Sequence, residues 1–147
     1  MATKVSDVLK QKGFAIVTIA PTQTVAAVVE VLTQHRIGAV PVTDETGRLI
    51  GIISERDIVR GMSQHGSAVS KLPAESLMTR EVKTCAPDDA IVALMEIMTN
   101  QRIRHLPVVE GGELRGIVSI GDVVKQRLGE AQLELEELHR YISASNY

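Results

Sequence analysis

Two polar pairs have the residue types and spacing for chemistry: Ser54 with Asp57, and Ser119 with Asp122. Each is an S-x-x-D turn between an apolar, β-branched run and a stretch of helical spacing. One reading is a capping-box variant, in which both side chains satisfy free N–H groups at a helix start. The other reading uses the same geometry to hold a ligand. A helix N-terminus offers unpaired N–H groups and partial positive charge, which suit an anion. The serine hydroxyl adds a donor toward a phosphate. The carboxylate, one turn on, accepts from two vicinal hydroxyls of a ribose. Gly51 and Gly116 precede the turns, and the lack of a side chain there would let a ligand approach the strand backbone closely.

A second cluster runs from Arg102 to Pro107. Arg36 and Arg102 close helical stretches, where a cation suits the dipole. Arg104 and His105 stand at a strand entrance, where two donors suit a phosphate; a surface salt bridge is the alternative. Other chemistry finds little support. His35, His65, His105 and His139 are far apart and no His/Cys pair has zinc spacing. There is no HExxH, GxGxxG or P-loop. Cys85 ends an apolar strand and reads as a packed thiol. Asp88 and Asp89 precede an apolar helix and read as caps. No catalytic constellation is expected, and no metal site.

The elements that must position these groups come in two copies. Shifted by 66 residues, residues 18–42 fall on 84–108, with identities at Thr18, Ala20, Pro21, Ala27, Glu30, Thr33, Arg36, Ile37, Pro41 and Val42. With the shift reduced to 65, residues 49–60 fall on 114–125, and Ser54/Asp57 fall on Ser119/Asp122. The single-residue gap lies between TDETGR and VEGGE, stretches with hairpin-loop composition, where a length change costs least. Such a repeat signals duplication of one supersecondary unit. Arg104 and His105 replace Gly38 and Ala39 of the first copy.

Each copy predicts strand, helix, strand, strand, helix. A short strand over 16–19, or 82–85, is stopped by Ala-Pro. Val25, Val28, Val29 and Leu32, matching Ile91, Leu94, Met95 and Met98, give a helical stripe. Two β-branched runs around a glycine-containing loop give a hairpin. A second helix begins near Ser54 and Ser119. Val5, Val8 and Leu9 predict a helix before the first unit, and residues 74–78 its counterpart before the second. The units span 1–63, with the N-terminal helix, and 74–127. Residues 64–73 link them, and 128–147 form a helical extension. Val124, Leu128, Ala131, Leu135, Leu138 and Ile142 are spaced 4, 3, 4, 3, 4, a heptad seam. It suits a helix that pairs with another chain, or one that folds back on its own domain.

Composition bounds the function. The chain has 147 residues, 44% hydrophobic and 23% charged, which is ordinary for a folded domain. A net charge of −2, with signs interspersed, lacks the cationic footprint of a nucleic-acid binder. One Phe, two Tyr and no Trp offer no stacking platform for bases. The longest apolar run, residues 14–20, is too short to span a bilayer, and MATKVSDVLK lacks a signal-like apolar stretch. The lone Cys85 points to a reducing compartment, the cytoplasm.

The order AP…RIGAVPV…LIGIISERD, repeated as AP…RIRHLPV…LRGIVSIGD, resembles a pair of CBS motifs, the module named after cystathionine β-synthase. The resemblance runs from about residue 5 to 127 and has no attached catalytic domain, like the small stand-alone CBS-pair proteins of bacteria. It implies an α/β Bateman module, two units about a pseudo-twofold axis with two clefts for AMP, ADP, ATP or NAD. It implies no required cofactor. One cleft would join Ser54, Arg56 and Asp57 to Thr84, Cys85, Arg104, His105 and Leu106. The other would join Ser119 and Asp122 to Thr18, Ile19, Ala20, Ala39, Val40 and Pro41. The aspartates would hold ribose, the serines phosphate, and the strands adenine. The second cleft lacks the cations of the first, so its phosphate would be less well neutralised. A homodimer is expected, with an unidentified protein target and neither nucleic acid nor membrane as partner. The expected function is regulatory, without catalysis. The alternative is a structural dimerisation module with empty clefts.

Overall fold

The computed structural model describes residues 3–13 and 16–145, with side chains through residue 144. The apolar run that starts at Phe14 therefore has its first two residues outside the described part. The elements are α1 (Val5–Lys12), α2 (Val25–His35), β1 (Ala39–Thr43), β2 (Leu49–Ser54), α3 (Glu55–His65), α4 (Ile91–Gln101), β3 (His105–Glu110), β4 (Glu113–Ser119) and α5 (Ile120–Ser145), with 3-10 turns at Gly66–Lys71 and Ala74–Ser76. The fold is mixed α/β, with two antiparallel hairpins, β1–β2 and β3–β4.

The helical stripes are the buried faces. Val25, Val28 and Leu32 of α2 are buried, as are Ile91, Leu94 and Met98 of α4. Thr24 caps α2 by accepting from the Ala27 N–H at 3.2 Å. Asp89 does not cap α4. Its carboxylate instead accepts from the Ala86 N–H at 2.8 Å and closes the Ala-Pro turn. Ala90 is the N-cap and has no side-chain bond to offer. Both helices end on an arginine in the left-handed region, Arg36 and Arg102, each at φ 54. The second hairpin turns on Gly111-Gly112, φ 59 and 81, between the paired Glu110 and Glu113. Positive φ at both central residues is what a tight two-residue hairpin requires.

The expected first strands shrink to one bridging residue each, Ile19 against Val42 and Cys85 against Val108, both parallel. Ile19 donates to the Pro41 carbonyl and accepts from the Thr43 N–H. The next rung would need an N–H from Pro41, or from Pro107 in the second copy, and proline has none. The Ala-Pro turn blocks extension on the other side.

Two cores result, and the leading helices are exchanged between them. Ile19, Val25, Val28, Val40, Val42 and Ile53 pack with Val69, Ala74 and Met78, residues that follow the first unit in sequence. Cys85, Ile91, Leu94, Leu106, Val108 and Val118 pack with Val5, Val8 and Leu9 of α1. The N-terminal helix thus completes the second unit, and the segment between the units completes the first. Gly61 lies inside α3, where a Cβ would stand 2.8 Å from Leu77. Helix α5 runs unbroken through Gly129. Residues 131–144 of that helix are exposed throughout.

Candidate functional site

Both S-x-x-D turns are capping boxes. In the first, the Ser54 N–H donates to Asp57 Oδ2 at 2.9 Å, and the Asp57 N–H donates to Ser54 Oγ at 3.3 Å. The Ser54 hydroxyl also donates to Asp57 Oδ2 at 3.0 Å. Asp57 is only 8% exposed. Its other oxygen, Oδ1, has weak partners: the Thr79 hydroxyl at 3.4 Å and Arg60 at 3.8 Å. The carboxylate is therefore fixed by one oxygen and keeps acceptor capacity on the other.

Asp57 opens on a cleft of about 280 Å³ between the units. Ser54, Arg56 and Asp57 line one wall, and Arg104 and His105 line the opposite one. The expected Thr84, Cys85 and Leu106 do not line it. Leu106 is fully buried in the second core and Cys85 nearly so, while Thr84 is exposed elsewhere. Burial, with the Asp89 charge beside it, pushes the Cys85 thiol up to about 12, which makes it an inert packed group. The structure adds Arg60, Thr79, Lys83 and Arg102 to the lining. Arg60 was readable as the residue one turn beyond Asp57, and Lys83 as a neighbour of Thr84. Thr79 had no sequence signal. It arrives through a bridge to Ile52 that crosses from one repeat to the next.

The cleft is cationic. Arg56, Arg60, Lys83, Arg102 and Arg104 face Glu55, Asp57 and Glu81. Among the described residues only Arg60 of these five cations has an ion pair. His105 adds a donor but little charge. Burial lowers its basicity, aided by Lys12 and Arg104, while Glu55 and Asp122 oppose the shift. Its ring reaches the first unit through Gly38, where a Cβ would stand 3.3 Å from the imidazole. The replacement of Gly38 and Ala39 by Arg104 and His105 is thus complementary: the small residue of one copy receives the ring of the other.

The second expected site is not one cavity. Thr18, Ile19 and Ala20 line a hollow with Thr43, Asp44 and Glu45, within the first unit. Ala39 and Pro41 line a recess of about 80 Å³ with Leu9, Lys12 and Ile117. Val40 is fully buried. Ser119 and Asp122 line neither space. Asp122 repeats the capping box, accepting from the Ser119 N–H at 2.9 Å and donating its own N–H to Ser119 Oγ at 3.2 Å. Lys12 Nζ lies 2.8 Å from its Oδ2. Burial works to raise the pKa of Asp122, but the bonds from Lys12 and Ser119 outweigh it and hold the carboxyl below its usual range.

The two strand glycines receive protein rather than ligand. A Cβ on Gly51 would stand 2.6 Å from the Met78 sulfur, and one on Gly116 would stand 2.8 Å from Leu9. These side chains come from the exchanged leading segments, Leu9 from α1 and Met78 from just after the 3-10 turn Ala74–Ser76, so the glycines serve the packing of the units.

The comparisons agree with this architecture. The CBS domain model matches residues 5–64 and 74–129. The chain belongs to the CBS-domain family and holds a pair of CBS domains. It is 37% identical to the mitochondrial CBS domain-containing protein CBSX3 of Arabidopsis thaliana, over 96% of this chain and 72% of that protein. The crystal structure of the CBS-domain protein ATU1752 from Agrobacterium tumefaciens superposes with a TM-score of 0.83 at 45% identity, covering 86% of this chain and 95% of that one. The CBS pair of protein MJ0100, solved with 5'-methylthioadenosine and S-adenosyl-L-methionine, superposes with a TM-score of 0.75 at 27% identity, covering 88% of this chain and 99% of that one. Among the described residues no helix is long and apolar enough to cross a membrane.

Proposed function

We propose that this chain is a regulatory module that binds an adenosine nucleotide in the cleft between the Ser54–Asp57 turn and the Arg104–His105 strand. The observation that carries this reading is the cationic lining opposite a helix N-terminus and a half-satisfied carboxylate. Asp57 Oδ1 accepts from the ribose hydroxyls. The α3 N-terminus, Ser54, Arg56 and Arg104 take the phosphates. The adenosine ligands of MJ0100 support the nucleoside half of the reading. The cations here favour a phosphate over a sulfonium, so AMP, ADP, ATP or NAD fit better than S-adenosylmethionine. The module acts by linkage, shifting the population of an arrangement that a target protein reads. It performs no catalysis, and its lone buried thiol suits the cytoplasm.

The test is thermal. At free ligand about 100 times the dissociation constant, binding adds about 2.7 kcal/mol, and for this size each kcal/mol moves the midpoint by roughly 2–4 °C. A rise of about 5–10 °C is expected with ATP or AMP and little with GMP. No shift with any adenosine nucleotide, in protein shown to be ligand-free, overturns the reading.

We further propose a homodimer. Val59 is 66% exposed, Met62 54% and Val92 46%, and α5 exposes Leu128, Leu135 and Leu138 at 54–65%. Such a row needs a partner surface. Leu135→Glu with Leu138→Glu should weaken the dimer, by light scattering at micromolar concentration, without unfolding either unit. A monomeric parent chain refutes the dimer. A fully dimeric double mutant assigns it to the other exposed helix faces.

A further inference from the structure

Leu9 and Met78 hold equivalent places, one on Gly116 and the other on Gly51. From Leu9 to Thr18 the chain takes nine steps, and from Met78 to Thr84 only six. The three additional residues extend α1 by its last turn, and Lys12 stands in it. No such turn exists on the other side, where the counterpart is the short 3-10 segment Ala74–Ser76. Lys12 Nζ donates to Asp122 Oδ2 at 2.8 Å and to the Ile117 carbonyl at 2.9 Å. The ammonium thus sits on the carboxylate that corresponds to Asp57, at the end of the strand that corresponds to β2. Lys12 lines two small recesses there, of about 80 Å³ and about 120 Å³, the second shared with Asp122, against about 280 Å³ in the first cleft.

We propose that Lys12 is a resident occupant of the second cleft, supplied by the N-terminal helix, and that it limits the module to one nucleotide per chain. A second nucleotide binds only when the lysine head leaves Asp122. The exchange strands no charge, because the incoming ribose hydroxyls bond Asp122 and the incoming phosphate pairs Lys12. The lysine side chain is 36% exposed, so it has room to swing out. Helix α1 does not depend on it for its place, since Val5, Val8 and Leu9 are buried in the second core. This inference rests on the nucleotide reading of the first cleft.

Calorimetric titration with ATP on the full chain tests it. One site is expected in the parent chain, two in Lys12→Ala, and one in Lys12→Arg, which keeps the cation. Lys12→Ala with Asp122→Ala should return to one. Lys12→Ala with Asp57→Ala should also bind one ATP, now through the second cleft. Lys12→Ala that still binds a single ATP, or a parent chain with two sites, one of them lost in Asp122→Ala, overturns the inference and leaves the first-cleft reading intact. An absence of binding in every variant overturns both.

Discussion

Asp57 and Asp122 occupy the same position in the repeat, and each accepts from the N–H of its capping serine at 2.9 Å. Their remaining surroundings differ. Asp57 keeps one oxygen with weak partners and faces a cleft whose cations, Arg60 apart, have no ion pair among the described residues. Asp122 is neutralised by a lysine from its own chain. Duplication supplied two copies of the turn. What distinguishes them was added outside it, by the longer leading helix on one side and by Arg104 and His105 on the other. A helix cap and a ligand acceptor are compatible roles for one carboxylate, because the cap uses one oxygen and leaves the second for another partner.

The largest expected difference between the clefts is in affinity. Asp57→Ala removes a charged acceptor worth roughly 1.5–3 kcal/mol per bond, about a tenfold to hundredfold loss of nucleotide binding. Asp122→Ala in the parent chain should change that affinity less than threefold. Calorimetry on both variants decides, and equal losses would erase the distinction. Both variants lose a cap as well, at about 1 kcal/mol of stability, so binding is to be compared below the melting range.

A smaller effect concerns phosphate. Arg104→Ala should reduce AMP affinity several-fold and leave adenosine nearly unchanged, because a guanidinium–phosphate bond is about twice as strong as a neutral one. Equal losses for the two ligands would mean that the β3 strand entrance has been disturbed rather than a phosphate contact removed.

The smallest effect is on acid stability. The Asp122 carboxyl is held below its ordinary value of 3.8. The stability it contributes is present above that value and is lost as pH falls through the lower folded one. Lys12→Met should remove part of this acid-labile stability. The pair is partly exposed, so the difference is at most about 1 kcal/mol. His105 adds a change at higher pH. Its folded basicity is lowered from 6.5, so the unfolded chain takes up the proton first and stability falls as pH drops below about 6.5. Denaturant titrations between pH 3 and 7 on the parent chain, Lys12→Met and His105→Gln separate the two: the histidine variant flattens the upper region fully, Lys12→Met only in part because burial is the larger cause of the His105 shift, and the lower region changes in Lys12→Met.

The chain alone displayed the duplication, the buried stripes of α2 and α4, both hairpins and both S-x-x-D turns. The duplication shows when the chain is slid along itself; each of the others is local: a periodicity, a loop composition or a cap lies within a few residues of its partners, so spacing reveals it. Ser54, Arg56, Asp57, Arg104 and His105 could be grouped only through the family resemblance, which joins the turn of one unit to the strand entrance of the other. Three features required the tertiary structure. The first strands ended after one residue because Pro41 and Pro107 lie opposite them and cannot donate. The glycines before each turn were filled by Leu9 and Met78, which belong to exchanged leading segments outside the hairpins they cover. Lys12, in a helix that shows only an ordinary amphipathic pattern, met Asp122 across more than a hundred residues. A one-dimensional pattern fixes which face of an element is buried. It does not fix which distant element covers that face, and that choice made one cleft open and the other occupied.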